Sequence, residues 1–576
     1  MTNTLHTFHI PVMGVGFTLD SPIKVAKYGI DSCISLVQDH VVEKARAMYS
    51  KKYKFDYTEI TQKIKGYRHK RITAYLNMVN KIVNLEFEKV LTNDEEQRKY
   101  FSLLPNNNSL KLNYMVLKNL NVERNFDLEE LLRQIKPGSI DVNIMSKLDR
   151  VDEKSGISDA LAALKGYAES DLESSIVFSA GINPRLIAYI ETFQDFFPQK
   201  GKAPKKKIVL KVSDVRSATI QAKMLVKKGL WPHEFRIESG LNCGGHAFAT
   251  QGLLLGPVLE AFKQGRGMLY NELREIYLNA LEEKEIEEWL PSMFLIAVQG
   301  GVGTAEEHEF LQKEYGFEKV GWGSPFLLVP EATSVDQATI TKLAEATEDD
   351  IYLSNSSPMG ISYNNLRNSE AEKLRLERIK KGKPGSPCFR KHVVLSTEYE
   401  KPMCAASREY QKRKIADLEQ QQLPESEYKE AFERIVEKEC ICDGLAISFL
   451  RLNNMLGKDN IQSASVCPGP NLAYYDRIYS LREMIDHIYG RKSVLKLNRP
   501  HMFIKELDLY VTHFKNELKK VAENDVRATK YINGFRTNLM DGIQYYEDLF
   551  KDKLSQIETL KQTVMATLNG YRLAIS

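Results

Sequence analysis

Eight short runs of apolar and β-branched residues divide the first 321 residues of this chain, with amphipathic segments between most of them. The runs are Phe8–Val15, Gly29–Leu36, Ser139–Lys147, Ser174–Ala180, Lys207–Val212, Glu234–Glu238, Phe294–Gln299 and Glu318–Gly321. Helical stretches such as Ser217–Lys228 and Ala305–Lys313 follow the fifth and the seventh. An alternation of β and α repeated about eight times is the pattern of a closed parallel sheet, so the chain is expected to be of the α/β class with a (β/α)8 TIM barrel. Residues 37–138 separate the second run from the third, far more than one crossover helix needs. They predict a helical insertion, either a lid or a buttress.

After the barrel repeats, which span residues 1–36 and 139–331, the character changes. Residues 332–404 read as an irregular connecting segment, with Ser354-Asn355-Ser356-Ser357-Pro358-Met359-Gly360 and the basic run Arg378–Lys383. Residues 405–576 read as a mainly α region. Phe503, Leu507, Tyr510, Phe514, Leu518 and Val521 step by four and three, and Phe535, Leu539, Ile543 and Tyr546 repeat that stripe. Such stripes predict helices that cover the barrel or one another, with a dedicated partner surface as the alternative.

A chain of 576 residues exceeds what one core organises. The 80 basic residues nearly balance the 76 acidic ones, giving +4, and no basic stripe points to nucleic acid. The start MTNTLHTFHIPVMG has neither a basic nor an apolar leader region, and no apolar run approaches the ~20 residues of a membrane span. A cytoplasmic protein without a membrane span is expected. Nothing in the sequence indicates an oligomeric state. The seven cysteines, an odd number, are read as thiols or metal ligands before disulfides.

Three glycine turns follow the last strand-like runs: Gly244-Gly245-His246, Gly300-Gly301-Val302-Gly303 and Gly321-Trp322-Gly323-Ser324. In a barrel of this kind the loops after the last two strands commonly bind phosphate, because backbone N–H groups and a helix N-terminus converge there. Gly300, Gly301 and Gly303 let the backbone approach an anion, Thr304 begins a helix as an N-cap, and Gly323 and Ser324 add donors. His246, just past the sixth strand, is the candidate for proton transfer near neutral pH, against the alternative of a loop-bonding histidine. Lys211 and Glu238 stand at strand ends on the same face, where they orient substrate or simply pair.

The segment Ile208–His246, the Gly300–Gly303 turn and Val320-Gly321-Trp322-Gly323-Ser324 resemble the nitronate monooxygenase (2-nitropropane dioxygenase-like) family, which includes flavin-dependent enoyl reductases. The resemblance covers roughly residues 7–365, with a large insertion. It implies an FMN-binding TIM barrel whose phosphate lies on Gly300, Gly301, Gly303, Gly323 and Ser324. It further implies a flavin ring beside Met13 and Gly14, a third-strand asparagine at Asn143, and catalytic His246 near Gly244 and Gly245. Lys211 and Glu238 are assigned with the cofactor-binding residues. This chain departs from the pattern at Asn242 and Cys243, where the family has Glu and a small residue, and in a spacing from Glu238 to His246 that is one residue longer.

The implied activity is that of a flavoprotein oxidoreductase, a monooxygenase or a reductase, acting on a small carbon acid or an enoyl or acyl-thioester substrate. No dinucleotide fingerprint follows a strand, so NAD(P)H would serve as a transient donor. Two other readings remain: a non-redox barrel enzyme binding a phosphorylated substrate at the same loops, and a non-catalytic interaction scaffold. Five cysteines lie beyond residue 387. Cys404, Cys440, Cys442 and Cys467 form the candidate set for zinc or an iron–sulfur cluster, with buried thiols as the alternative.

Overall fold

A computed structural model of the chain describes residues 5–119, 125–146, 151, 157–179, 181, 183–495, 499–519 and 526–575. Eight parallel strands close on themselves in chain order: β1 (Phe8–Ile10), β2 (Asp31–Ser35), β3 (Ile140–Ile144), β4 (Ser175–Phe178), β5 (Lys207–Val212), β6 (Pro232–Glu238), β7 (Leu295–Gln299) and β8 (Lys319–Gly321). β8 pairs back to β1 through Phe8 with Val320 and His9 with Gly321. Lys147 and Ala180, the expected ends of the third and fourth strands, lie outside the described residues. The first strand ends at Ile10 instead of Val15, because Pro11 has no N–H for the ladder and Gly14 turns the chain at φ +56°.

The alternation within the strands places apolar side chains outward and many charges inward. Phe235 of β6 packs edge-on against Phe294. Its neighbour Arg236 turns into the barrel and meets Asp141 of β3 at 2.7 Å and Glu234 at 2.5 Å. Lys319 of β8 pairs with Asp31 of β2, and His9 Nε2 lies 3.4 Å from Gln299 Oε1. Cys33, Val177 and Val209 form a small apolar plug in the same interior.

The interval between β2 and β3 holds the helices Asp39–Tyr53, Tyr67–Thr92, Asp94–Leu103, Ser109–Asn119 and Asn125–Gln134. The longest lies directly on the helix Asp159–Ala168 that follows β3. A Cβ on Gly166 would stand 2.6 Å from Ile72 Cγ2, so glycine allows the contact. Tyr75 Oη also donates to Leu19 O at 2.9 Å. These contacts make the insertion a buttress on the flank of the barrel.

Residues 332–404 are more ordered than their composition suggests. They contain the helices Gln337–Ala344 and Glu370–Lys380 and an antiparallel pair, β9 (Ile351–Ser354) with β10 (Tyr363–Leu366). Beyond them the chain is helical, including Arg408–Glu419, Ile441–Leu452, Met502–Leu518 and Val526–Leu549. Phe503, Leu507, Tyr510 and Phe514 are fully buried, as are Phe535, Leu539, Ile543 and Tyr546. Val521 lies outside the described residues. No helix among the described residues is long and apolar enough to cross a membrane.

One carboxylate joins this helical region to the barrel. Glu506 on Met502–Leu518 accepts hydrogen bonds from Ser239 Oγ at 2.5 Å, Leu255 N at 2.8 Å and Tyr546 Oη at 3.0 Å. Ser239 immediately follows β6, so the bond ties a C-terminal helix to the barrel's C-terminal face. Burial raises Glu506 to about 7, which favours its neutral form in the folded protein. The resulting stabilisation is complete below the unfolded value of 4.5 and is lost as pH rises through about 7. Its ceiling is on the order of 3 kcal/mol. Glu506→Gln is expected to remove this dependence, so that the melting temperature of the natural chain falls relative to the variant between about pH 5 and pH 8. Parallel melting curves across that window would contradict the coupling.

Candidate active site

The glycine turns lie together at the C-terminal face. After β7, Gly300 adopts φ +120° and Gly301 φ +80°, conformations that disfavour a side chain. A Cβ on Gly301 would also stand 1.9 Å from Asn242 Nδ2. Two side chains from beyond the barrel hold the turn from behind. Arg499 donates to Gly301 O, and Asn471 Nδ2 donates to Val302 O at 2.7 Å. Because the N–H and C=O of a trans peptide point in opposite directions, drawing back the Gly301 carbonyl turns the Val302 amide toward the pocket. Among the described residues, the amides of Gly301, Val302, Gly323 and Ser324 donate to no other group.

Gly303 stands apart from this cradle. Its N–H goes to Glu307 Oε2 at 2.9 Å, and Thr304 Oγ1 accepts from Glu307 N at 3.1 Å. Together these form the N-cap of the helix Ala305–Tyr315. Glu307 in turn meets Arg499 at 2.6 Å, both side chains being 3% exposed. Arg499 Nε completes the clamp by donating to Asn471 Oδ1 at 2.6 Å.

The cradle borders a narrow pocket of about 140 Å³ that also touches Met13, Gly14, Lys211, Glu238 and Gly323. Through Gly14, Lys211, Glu238, Cys243, Gly244, Gly245 and Cys467 it adjoins a mainly apolar cavity of about 600 Å³. Lys211 Nζ and Glu238 Oε1 pair at 3.0 Å, and Gln299 Nε2 donates to the same carboxylate. Asn143 faces the cavity with a buried Oδ1 that has no hydrogen-bond partner. His246 lines it as well, its Nε2 held 2.7 Å from Ser357 Oγ.

The structure therefore brings Met13, Gly14, Asn143, Lys211, Glu238, Gly244, Gly245, His246, Gly300, Gly301, Gly323 and Ser324 to one end of the barrel. The sequence reading missed the residues contributed from beyond the barrel. β10 docks on the Gly-Gly-His turn through Asn364 N to Gly245 O at 2.9 Å and Ala247 N to Ser362 O at 2.9 Å. The loop Cys467–Asn471 closes the other side, with Gly245 N donating to Cys467 O at 3.1 Å and Gly469 N to Ser324 Oγ at 2.8 Å. Met359, Ile361, Tyr363, Ile441, Leu445 and Tyr531 supply much of the apolar wall. Among the described residues of the long insertion, only Val37, at its very start, reaches the cavity.

The four-cysteine metal site is not formed. Cys467 is in the mouth of the barrel, whereas Cys404 and Cys442 lie in one group of thiols with Cys388 and Cys440. Among the described residues no group of three or more His, Cys, Asp or Glu side chains is placed to hold a metal ion. The neighbouring thiols and then burial push Cys404 and Cys442 upward, which keeps them protonated.

No family model matches the sequence, and no curated protein matches it. Among solved structures, FabK from Thermotoga maritima is 14% identical, with 85% of this chain and 95% of that chain covered and a TM-score of 0.34. The enoyl reductase domain of MlnA, from the macrolactin biosynthesis cluster of Bacillus amyloliquefaciens, is also 14% identical. It covers 73% of this chain and 86% of its own, with a TM-score of 0.33. At this distance neither likeness bears on any residue of the site.

Arg499→Ala would leave Glu307 buried without its counter-charge. Breaking a buried pair from one side costs about 3–5 kcal/mol, so urea denaturation is expected to show a loss of that order. A loss below about 1 kcal/mol, typical of surface pairs, would show that the clamp contributes little.

Proposed function

We propose that this protein is an FMN-dependent oxidoreductase whose substrate is a carbon acid or an enoyl or acyl compound with an apolar body. The observation that carries the reading is the convergence of the Gly301, Val302, Gly323 and Ser324 amides on one pocket, which suits a phosphate dianion. Positive-φ glycines bring that backbone close to the pocket. When bound, FMN would supply two-electron exchange with a carbon centre, with NAD(P)H as a transient donor.

The chain's own groups do the rest. Lys211, paired to Glu238, places a cation at the barrel mouth for charge developing on an electron-poor ring. Ser357 fixes the orientation of the His246 imidazole, which donates a hydrogen bond or a proton to a substrate oxygen. The mostly apolar cavity excludes water and accommodates a substrate body larger than a nitroalkane.

Purified protein incubated with FMN and passed through a desalting column is expected to retain a flavin spectrum. A colourless protein would overturn the reading and favour a phosphorylated substrate on the same loops. Gly301→Val is expected to abolish FMN retention while leaving the circular dichroism spectrum unchanged. His246→Ala is expected to keep FMN and lose about 10²–10⁴ in kcat. Unchanged kcat/KM in that variant would remove His246 from the chemistry.

A further inference from the structure

Cys467 is used by none of the steps above, yet its side chain lines both the narrow glycine pocket and the large cavity. Three donor groups lie near its sulfur: the N–H groups of Gly14 and Gly245 and the phenol of Tyr363. Tyr363 is 1% exposed and lines the cavity, and among the described residues its hydroxyl has no hydrogen-bond partner. Its ring packs 5.1 Å from His246. Across the cavity the buried Asn143 Oδ1 is likewise unpartnered, so two polar groups await a ligand in the space that the sulfur borders.

The backbone holds the sulfur in position from both sides. Gly245 N–H also donates to Cys467 O, and the next residues are tied to Ser324 and Val302. Gly14 adopts φ +56°, and a Cβ there would stand 2.7 Å from Phe17 Cδ2, so the turn that aims its amide at the sulfur depends on glycine. The other two cavity thiols lack this setting. Cys243 directs its sulfur at Gln299 O at 3.8 Å beside the Glu238 carboxylate, and Cys442 is engaged by Cys440.

We propose that Cys467 is a catalytic residue, the acid that delivers a proton to the substrate carbon. This rests on the FMN reading and extends it to 2-enoyl substrates, whose reduction needs one hydride and one proton. Bound FMN, once reduced by a nicotinamide dinucleotide, would supply the hydride for the new C–H bond at the β carbon. The π electrons move to the carbonyl oxygen, where His246 donates a hydrogen bond. The S–H bond of Cys467 then breaks, its proton forms the C–H bond at the α carbon, and the thiolate recovers a proton from water. Burial keeps the thiol protonated beforehand, and the three donors stabilise the thiolate as it forms.

The test uses the FMN-loaded full chain with Cys467→Ala and Tyr363→Phe. A thiolate beside oxidised flavin produces a long-wavelength charge-transfer absorbance. In the natural protein this band is expected to grow as pH rises, to be absent in Cys467→Ala, and to appear at higher pH in Tyr363→Phe, which lacks one donor. With 2-octenoyl-coenzyme A and NADPH, Cys467→Ala is expected to lose about 10²–10⁴ in kcat with KM little changed. A protein that retains FMN but shows no Cys467-dependent band overturns this proposal and leaves the FMN reading standing. Unchanged kcat in Cys467→Ala, or no turnover by the natural protein, also overturns the proton-donor role. Failure to retain FMN overturns both.

Discussion

The buried guanidinium of Arg499 holds together three parts of the molecule that are far apart in sequence. It draws back the Gly301 carbonyl of the β7 turn, pairs with Glu307 in the first turn of the following helix, and braces Asn471 in the loop over the barrel mouth. Each contact has a consequence for the site. The first turns a backbone amide outward. The second sets a counter-charge beside Glu307 where it caps Gly303, and the third carries Asn471 to the Val302 carbonyl. A buried ion pair is weak evidence of net stability, because desolvation offsets much of its attraction. Its value here is geometric, since planar, forked Arg can satisfy three acceptors with fixed directions where Lys offers a point charge.

The interior of the barrel follows the same logic. Arg236 between Asp141 and Glu234, and Lys319 against Asp31, put ions where many barrels put branched apolar side chains. Arg236–Asp141 and Lys319–Asp31 join strands that are not neighbours in sequence, so they select strand register as well as closure. Lys211 and Glu238 continue the ladder to the mouth, where the same pairing becomes available to a ligand.

What could be read from the sequence was whatever local periodicity or local turn chemistry encodes. Strands β5 to β8 are apolar runs followed by glycine turns or capped helices, and their ends were recovered within two residues. The stripes on Met502–Leu518 and Val526–Leu549 were equally legible, because burial of one helix face forces the spacing. β10 was not. Its sequence Tyr363-Asn364-Asn365-Leu366 has two residues that disfavour strands, and it pairs because Asn364 Nδ2 finds Cys243 O at 2.6 Å and Asn365 finds Ser356. Cys243 lies 121 residues away in sequence, and Ser356 lies in a turn of no regular period. Cys467 was misassigned for a related reason. The Cys440-Ile441-Cys442 pair and the Cys467-Pro468 step suggested a shared ligand set, but the chain between them, beginning with the helix Ile441–Leu452, carries Cys467 to the barrel mouth. Nor did the length of the 37–138 interval reveal whether it covered the mouth or the flank.

The wall of the site thus comes from two sources with different tolerances. The glycine turns, Lys211, Glu238 and Asn143 are fixed by the closed sheet, where a shift in one strand would disturb both neighbours. The surfaces around the larger cavity come from β10, the Cys467–Asn471 loop and helices beyond residue 440, which are attached by hydrogen bonds at a few points. Substitutions at Met359, Ile361, Leu445 or Tyr531 would therefore reshape the larger cavity while the glycine turns keep their geometry. Glu506 limits that freedom, since its bond to Ser239 ties the helical region to the strand end next to Gly300. The C-terminal helices are consequently part of the site's foundation, and a change that repacks them must preserve that one buried carboxyl contact to leave the barrel mouth intact.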